Sequence, residues 1–260
     1  MSGYNIGIGV GLRYIQRGVV DLMAQTIRSS MVVWYDLKRQ GATNESMSQN
    51  PILKDLSGHG HDATCYNFAW TENSGISSTS YLNALVSDGV DDYCIVEGLP
   101  ILTDYTVIAK RKWIKTEYDT FATFSSKSNS TADGEFIFER IDSEGHSQVY
   151  SFGVPARITL AENITYQTPT SYNGKIISKG DFLGNDRLSL FALRGIAQYS
   201  NIALYSFILF DRTLTDKEIE WVKKNLLDVE TPEQKYSCFG TGQWVMKYPW
   251  INDDLWKMKK

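Results

Sequence analysis

Residues 202–210, Ile-Ala-Leu-Tyr-Ser-Phe-Ile-Leu-Phe, are apolar at both parities. A strand with that pattern is covered on both faces or lies centrally in a packed sandwich. Asp211-Arg212 ends the run, and Thr215 then starts a helix. Thr215 with Glu218 makes a capping box, and Leu214 with Ile219 a hydrophobic staple. Ile219, Val222 and Leu226 recur at helical spacing and give the helix one buried stripe.

Upstream, the apolar runs are short and strand-like. Met31–Asp36 is a strand and Lys38–Asn50 a polar loop. Gly58 and Gly60 supply the positive-φ positions of a turn, after which Thr64–Trp70 enters a sheet. Asp88-Gly89 is a turn dipeptide between two apolar runs. In the strand Tyr105–Ile114, Val107, Ala109 and Trp113 share one parity, and Lys110 and Lys112 the other. Further runs at 121–124, 134–141, 148–152, 158–160, 175–177 and 188–193 are separated by Ser-, Asn-, Asp- and Gly-rich loops. Many short strands without intervening helices predict a sandwich or barrel.

The two ends differ. In residues 1–30, glycines alternate with Ile6, Ile8 and Val10, and then Leu12, Ile15, Val19, Leu22, Met23 and Ile27 fit an amphipathic helix. This piece either folds back on its own domain or anchors the protein to a partner. After a linker at 230–233, Trp244, Tyr248, Trp250 and Trp256 mark a tail. It either lies across the sandwich or makes a docking contact.

Composition adds exclusions. Net charge is −4 with no basic block, so nothing argues for nucleic acid. No stretch approaches the length of a membrane helix, and the start lacks the pattern of a secretory signal. Cys65, Cys94 and Cys238 are odd in number and widely spaced, which is neither a disulfide framework nor a zinc pattern. They read as buried free thiols of a protein made in a reducing compartment.

Three segments carry a family resemblance. Residues 204–227, "LYSFILFDRTLTDKEIEWVKKNLL", are similar to the closing strand and helix of laminin-G-like (LamG) domains of the concanavalin A-like type. Residues 55–63 follow the family's "D-x-S-G-x-x-x-D-A" loop. "ALVSDGVDDYCIV" resembles its "F-D-G-x-D-D" hairpin, with Ser87 where an aromatic is usual. The resemblance implies an all-β, concanavalin A-like jelly-roll sandwich over residues 31–229, with one short helix near its C-terminal end. An N-terminal arm (1–30) and a C-terminal extension (230–260) flank it. The segments 34–70 and 83–113 further resemble LamG-like proteins of gut Bacteroidales phages, including crAss-like phages.

That implies a virion protein, a head or tail fibre or decoration protein, displaying its jelly roll toward a host-surface glycan or protein. The expected partners are other virion proteins, reached through residues 1–30, and further copies of the same chain, with no nucleic acid and no membrane. Ile6, Ile8, Leu12, Ile15, Trp244, Trp250 and Trp256 are the candidate assembly residues. Trp70, Tyr93 and Trp113 are candidate sugar-stacking residues. Asp88, Asp91 and Asp92 are candidate Ca2+ ligands, since the family often holds calcium in its rim loops. A free-standing or cell-surface lectin module is the alternative reading.

Catalysis finds little support. Glu135 and Glu139 share a strand parity but would sit about 13 Å apart, too far for a glycosidase pair. His59 and His61 beside Asp55 and Asp62 could suggest zinc, but these positions belong to the loop motif.

Overall fold

The computed structural model describes residues 22–125, 135–161, 163–181 and 185–227. A helical segment, α1 (22–29), leads into β1 (Met31–Asp36). Two short helices follow, α2 (Leu37–Gln40) and α3 (Asn44–Gln49). The chain continues through β2 (Ile52–Leu53), β3 (Ala63–Tyr66), β4 (Gly75–Ile76), β5 (Leu85–Val86), β6 (Tyr93–Glu97) and β7 (Thr106–Trp113). Next come β8 (Thr120–Ser125), β9 (Phe136–Ile141), β10 (Ser147–Ser151), β11 (Val154–Arg157) and β12 (Asn163–Thr168). The last elements are β13 (Ser171–Tyr172), β14 (Lys175–Ile176), β15 (Arg187–Leu190), β16 (Ile202–Phe210) and α4 (Asp216–Val222).

The strands form two eight-stranded antiparallel sheets packed as a β-sandwich. The first runs β14-β13-β12-β7-β16-β5-β4, with β1 also paired to β16. The second runs β11-β10-β9-β8-β15-β6-β3-β2.

The both-parity run is β16, and both of its faces are buried. Ile202, Leu204, Phe207 and Leu209 face the inter-sheet core. Ile208 and Phe210 face outward into a second core with Ile27 of α1 and Ile219, Val222, Leu226 and Leu227. The inward parity changes at a register shift between Leu204 and Ser206. The expected capping box at α4 is present in both directions, and Arg212 reinforces it with a bidentate pair to Glu218 at 2.7 and 3.0 Å. Hydrogen bonds from Arg212 and Thr215 hold the Glu218 carboxyl at about 2, below the usual carboxylate range.

Three local expectations differ. The polar loop at 38–50 contains α2 and α3, which start at Asp36 and Thr43 side-chain caps. The strand expected at 158–160 lies instead at Val154–Arg157. β12 has no counterpart in the apolar pattern, because its inward residues Thr165 and Gln167 are polar.

Those polar residues belong to a network that joins the two sheets. Glu139 of β9 would face outward with Ile137 by strand alternation. A bulge intervenes: Gln148 pairs with Arg140 and Tyr150 with Ile137, so Val149 opposes both Phe138 and Glu139. Glu139 takes φ 62° and turns inward. Its carboxylate accepts Nε and Nη2 of Arg111, each at 2.6 Å, and Nε1 of Trp113 at 3.0 Å. It also accepts Thr165 Oγ1 at 2.7 Å and the Tyr172 hydroxyl at 2.8 Å. Burial and the Glu139 charge push the Tyr172 hydroxyl pKa up, so it stays a donor. Arg111 gives its remaining Nη1 to Ala161 O at 2.8 Å. A second bridge runs from Gln167 Nε2 to the Tyr105 hydroxyl and to Tyr150 O, both at 2.8 Å.

Removing one partner of a fully buried pair strands the other charge. Glu139→Ala is therefore expected to cost about 3–5 kcal/mol in urea unfolding. A loss below about 1 kcal/mol would mean the network is dispensable.

Candidate functional site

On the outer face of the second sheet, β3 and β6, next to its β2 edge, carry a cleft of about 520 Å³. Its lining includes His61, Asp62, Thr64, Tyr66, Tyr93, Ile95, Glu97 and Arg187. Strand alternation explains the set. Ala63, Cys65, Cys94 and Val96 point into the core. Thr64 and Tyr66 of β3, and Tyr93, Ile95 and Glu97 of β6, therefore face the other way.

Tyr66 pairs in register with Tyr93, and their rings stack with centroids 4.9 Å apart and planes 18° off parallel. Tyr66 is 42% exposed, so the stack can be reached from solvent. Tyr199 adds a third ring 6.2 Å from Tyr93. Partial burial and the neighbouring phenols push the Tyr93 hydroxyl pKa up, which keeps it a proton donor. The loop 191–200 reaches the cleft at Gly195, where φ is +73° and a Cβ would lie 2.7 Å from Ile95 Cδ1. The positive φ favours glycine, and any larger residue would also have to displace the end of the Ile95 side chain.

The charged groups are fixed by their neighbours. Asp62 receives Lys54 Nζ at 2.6 Å and the Asp55 backbone N–H at 2.8 Å. Glu97 lies 3.6 Å from Arg187 Nε. His61 Nδ1 sits 2.9 Å from Val32 O, and the His61 backbone N–H donates to Asp55 Oδ2 at 3.0 Å. Asp55 also accepts Trp34 N, Ser57 N and Ser57 Oγ. Desolvation opposes these bonds, yet together they hold the Asp55 carboxyl below its usual range. The Asp- and His-rich loop therefore builds one wall of the cleft. Gly58 and Gly60 take the expected positive φ, 94° and 79°.

Of the three aromatic candidates, Tyr93 lines this cleft and the tryptophans do not. Trp70 stacks on Phe68 at 5.2 Å and packs against the core. Trp113 donates to Glu139 between the sheets. Tyr66, Glu97 and Arg187 were not singled out from sequence. The alternation Thr64-Cys65-Tyr66 is the signal that could have found Tyr66. Ile6, Ile8, Leu12, Ile15, Trp244, Trp250 and Trp256 lie outside the described residues. Glu135 and Glu139 are both buried, and each is held by a bidentate arginine, Arg194 and Arg111 respectively.

The acidic triad does converge. Asp88, Asp91 and Asp92 each offer a carboxylate oxygen, all within 4.8 Å of one another. Asp92 is fully buried. Its Oδ2 accepts Asp88 N at 2.9 Å, and its Oδ1 has no hydrogen-bond partner among the described residues. Burial pushes its carboxyl up to about 6. The Ser74 hydroxyl lies beside the same carboxyl, and three converging carboxylates, one of them buried, would suit a hard cation such as Ca2+.

No protein-family model and no curated protein matches the chain. Solved structures do share its fold. The binding domain of botulinum neurotoxin serotype D aligns with a TM-score of 0.51 and 14% identity, over 78% of this chain and 52% of that one. The sialidase of Trypanosoma rangeli aligns at 0.48 and 11%, over 76% and 33%. The chain thus spans between a third and about half of these proteins. At 14% identity the likeness to the neurotoxin domain shows the β-sandwich fold alone.

Asp92 makes calcium testable. Its folded pKa lies above the unfolded value, so its stabilising contribution is complete below about pH 4 and is lost as pH rises through about 6. With EDTA present, Tm should fall over that window more in the wild type than in Asp92→Asn. Millimolar Ca2+ at pH 7.5 should restore the wild type only. A Tm indifferent to Ca2+ in both proteins would reduce the triad to a turn cap.

Proposed function

We propose that the protein binds carbohydrate through the Tyr66–Tyr93 cleft, without catalysis, and does so as a structural component of a phage particle. The observation that carries the binding reading is the open tyrosine stack beside fixed carboxylates and a guanidinium. A pyranose presents an apolar C–H face that packs on an aromatic ring, while its hydroxyls donate to carboxylates and accept from arginine. Asp62, Glu97 and Arg187 flank the rings in that way. The groups are few, convergent and preformed, as in small-ligand sites generally. Asp62 and Glu97 are each engaged by a cation, Lys54 and Arg187. That arrangement suits hydrogen bonding to a sugar better than proton transfer to one.

The particle reading rests on the sequence motifs at 34–70 and 83–113 and on the apolar pattern of residues 1–30. In that reading the N-terminal segment and the tail tryptophans meet other virion proteins or further copies of this chain. The sandwich then displays its cleft toward the host surface.

Binding of purified host capsular polysaccharides, measured by biolayer interferometry, tests the site. Tyr66→Ala should weaken binding at least about tenfold. Trp70→Ala should leave it unchanged, and no reducing sugar should be released. Equal affinity of wild type and Tyr66→Ala would remove the cleft from the reading. The full chain should run as a trimer or larger in light scattering, and a monomer would count against the particle role.

A further inference from the structure

Cys65 and Cys94 lie directly opposite one another on the antiparallel strands β3 and β6. The Cys65 N–H donates to Pro51 O, away from β6. A strand residue sends its N–H and C=O to the same side, so Cys65 and Cys94 form a non-hydrogen-bonded pair. Such pairs bring their Cα atoms to about 4.5 Å, within the range a disulfide spans. Both side chains point into the core, and their Sγ atoms are 2.7 Å apart. Both cysteines are free and buried. The cysteines are 29 residues apart in the chain. No His, Asp or Glu joins them in a metal-ligand group among the described residues.

We propose that Cys65 and Cys94 form a cross-strand disulfide that clamps β3 to β6 directly beneath the Tyr66–Tyr93 stack. Closing the bond to about 2.05 Å needs only a sub-ångström approach of the two sulfurs. The oxidant is a small disulfide such as oxidised glutathione. One cysteine, as its thiolate, attacks the donor and expels one donor thiol. The second cysteine then attacks the mixed disulfide and expels the other. The sum is two protein thiols and one donor disulfide giving one protein disulfide and two donor thiols. Burial raises the Cys94 thiol pKa well above its ordinary value, so little thiolate exists in the closed native state. Oxidation therefore proceeds during folding or when the edge strands β2 and β3 open. β2 contributes only Ile52 and Leu53 to the edge, which makes opening there the least costly. Once formed, the bond is shielded from reductants by the same burial. The inference stands apart from the glycan reading, because its readout is covalent.

The test uses the full chain as Cys238→Ser, so that the pair is the only source of thiols. One sample is held native with oxidised glutathione at pH 8, and a second is refolded from urea in the same buffer. Peptide mass mapping should find the Cys65–Cys94 cross-link, with a 2 Da loss of intact mass. Tm should rise by roughly 5–10 °C over the reduced protein. Cys65→Ser, under the same treatment, should show neither change. Two alkylatable thiols in both samples, or glutathione adducts without the cross-link, would overturn the proposal. So would a cross-linked protein that melts below its reduced form, because the bond would then be foreign to the native register.

Discussion

A single buried carboxylate sets the terms for this sandwich. Glu139 sits between the sheets with no access to water, and an ionised group there is tolerable only if every lone pair is matched. Arg111, Trp113, Thr165 and Tyr172 do the matching, and all four come from the opposite sheet or the strands that extend it. The β7-β12-β13 side of the first sheet is thus held in register against β9 of the second. A core made only of Phe121, Phe138, Phe207 and Leu209 could slide. A charge with directional partners cannot, because each slip leaves an unpaired group in a low-dielectric interior.

That division of labour shapes the exterior. The outer face of the first sheet is covered by α1, α4 and the turn that follows it. Lys110 reaches from β7 to the carbonyl of Leu227 at 3.1 Å and fixes the end of that cover. On the second sheet, Gly195 brings the loop 191–200 against Ile95 and Tyr93, while Tyr66 stays exposed. The cleft exists because β3 and β6 are inward-apolar and outward-aromatic on alternate residues. The same register that aligns the tyrosines outside aligns the cysteines inside.

Much of the frame could be read from the chain. The both-parity run at 202–210, the Thr215–Glu218 box and the glycine turn at 58–60 each rest on local rules that the tertiary structure does not override. The inter-sheet network could not be read so directly. Arg111 shares the parity of Val107 and Ala109, which alternation assigns to the core. A lone arginine there makes sense only once its carboxylate is known, and a bulge moves that carboxylate across the sheet. β12 was hidden for the same reason, since Thr165 and Gln167 face inward as polar residues. At the cleft, Tyr93 was legible only as an aromatic at a rim or strand position, on the same footing as Trp70 and Trp113. Arg187 was not, because it arrives from a strand almost a hundred residues away in the chain. Trp70 and Trp113 show the opposite hazard, since a large aromatic near a rim serves the core as readily as a ligand.

The Tyr66–Tyr93 stack is where we propose that a sugar sits. The most direct measurement is an amide and aromatic chemical-shift titration of the labelled full chain with oligosaccharides cut from a bound host polysaccharide. The expected shifts concentrate on Tyr66, Tyr93, Glu97 and Arg187 and leave Trp70 and Trp113 in place. Saturable shifts that instead centre on Trp70, Trp113 or the far sheet would contradict the assignment of the site.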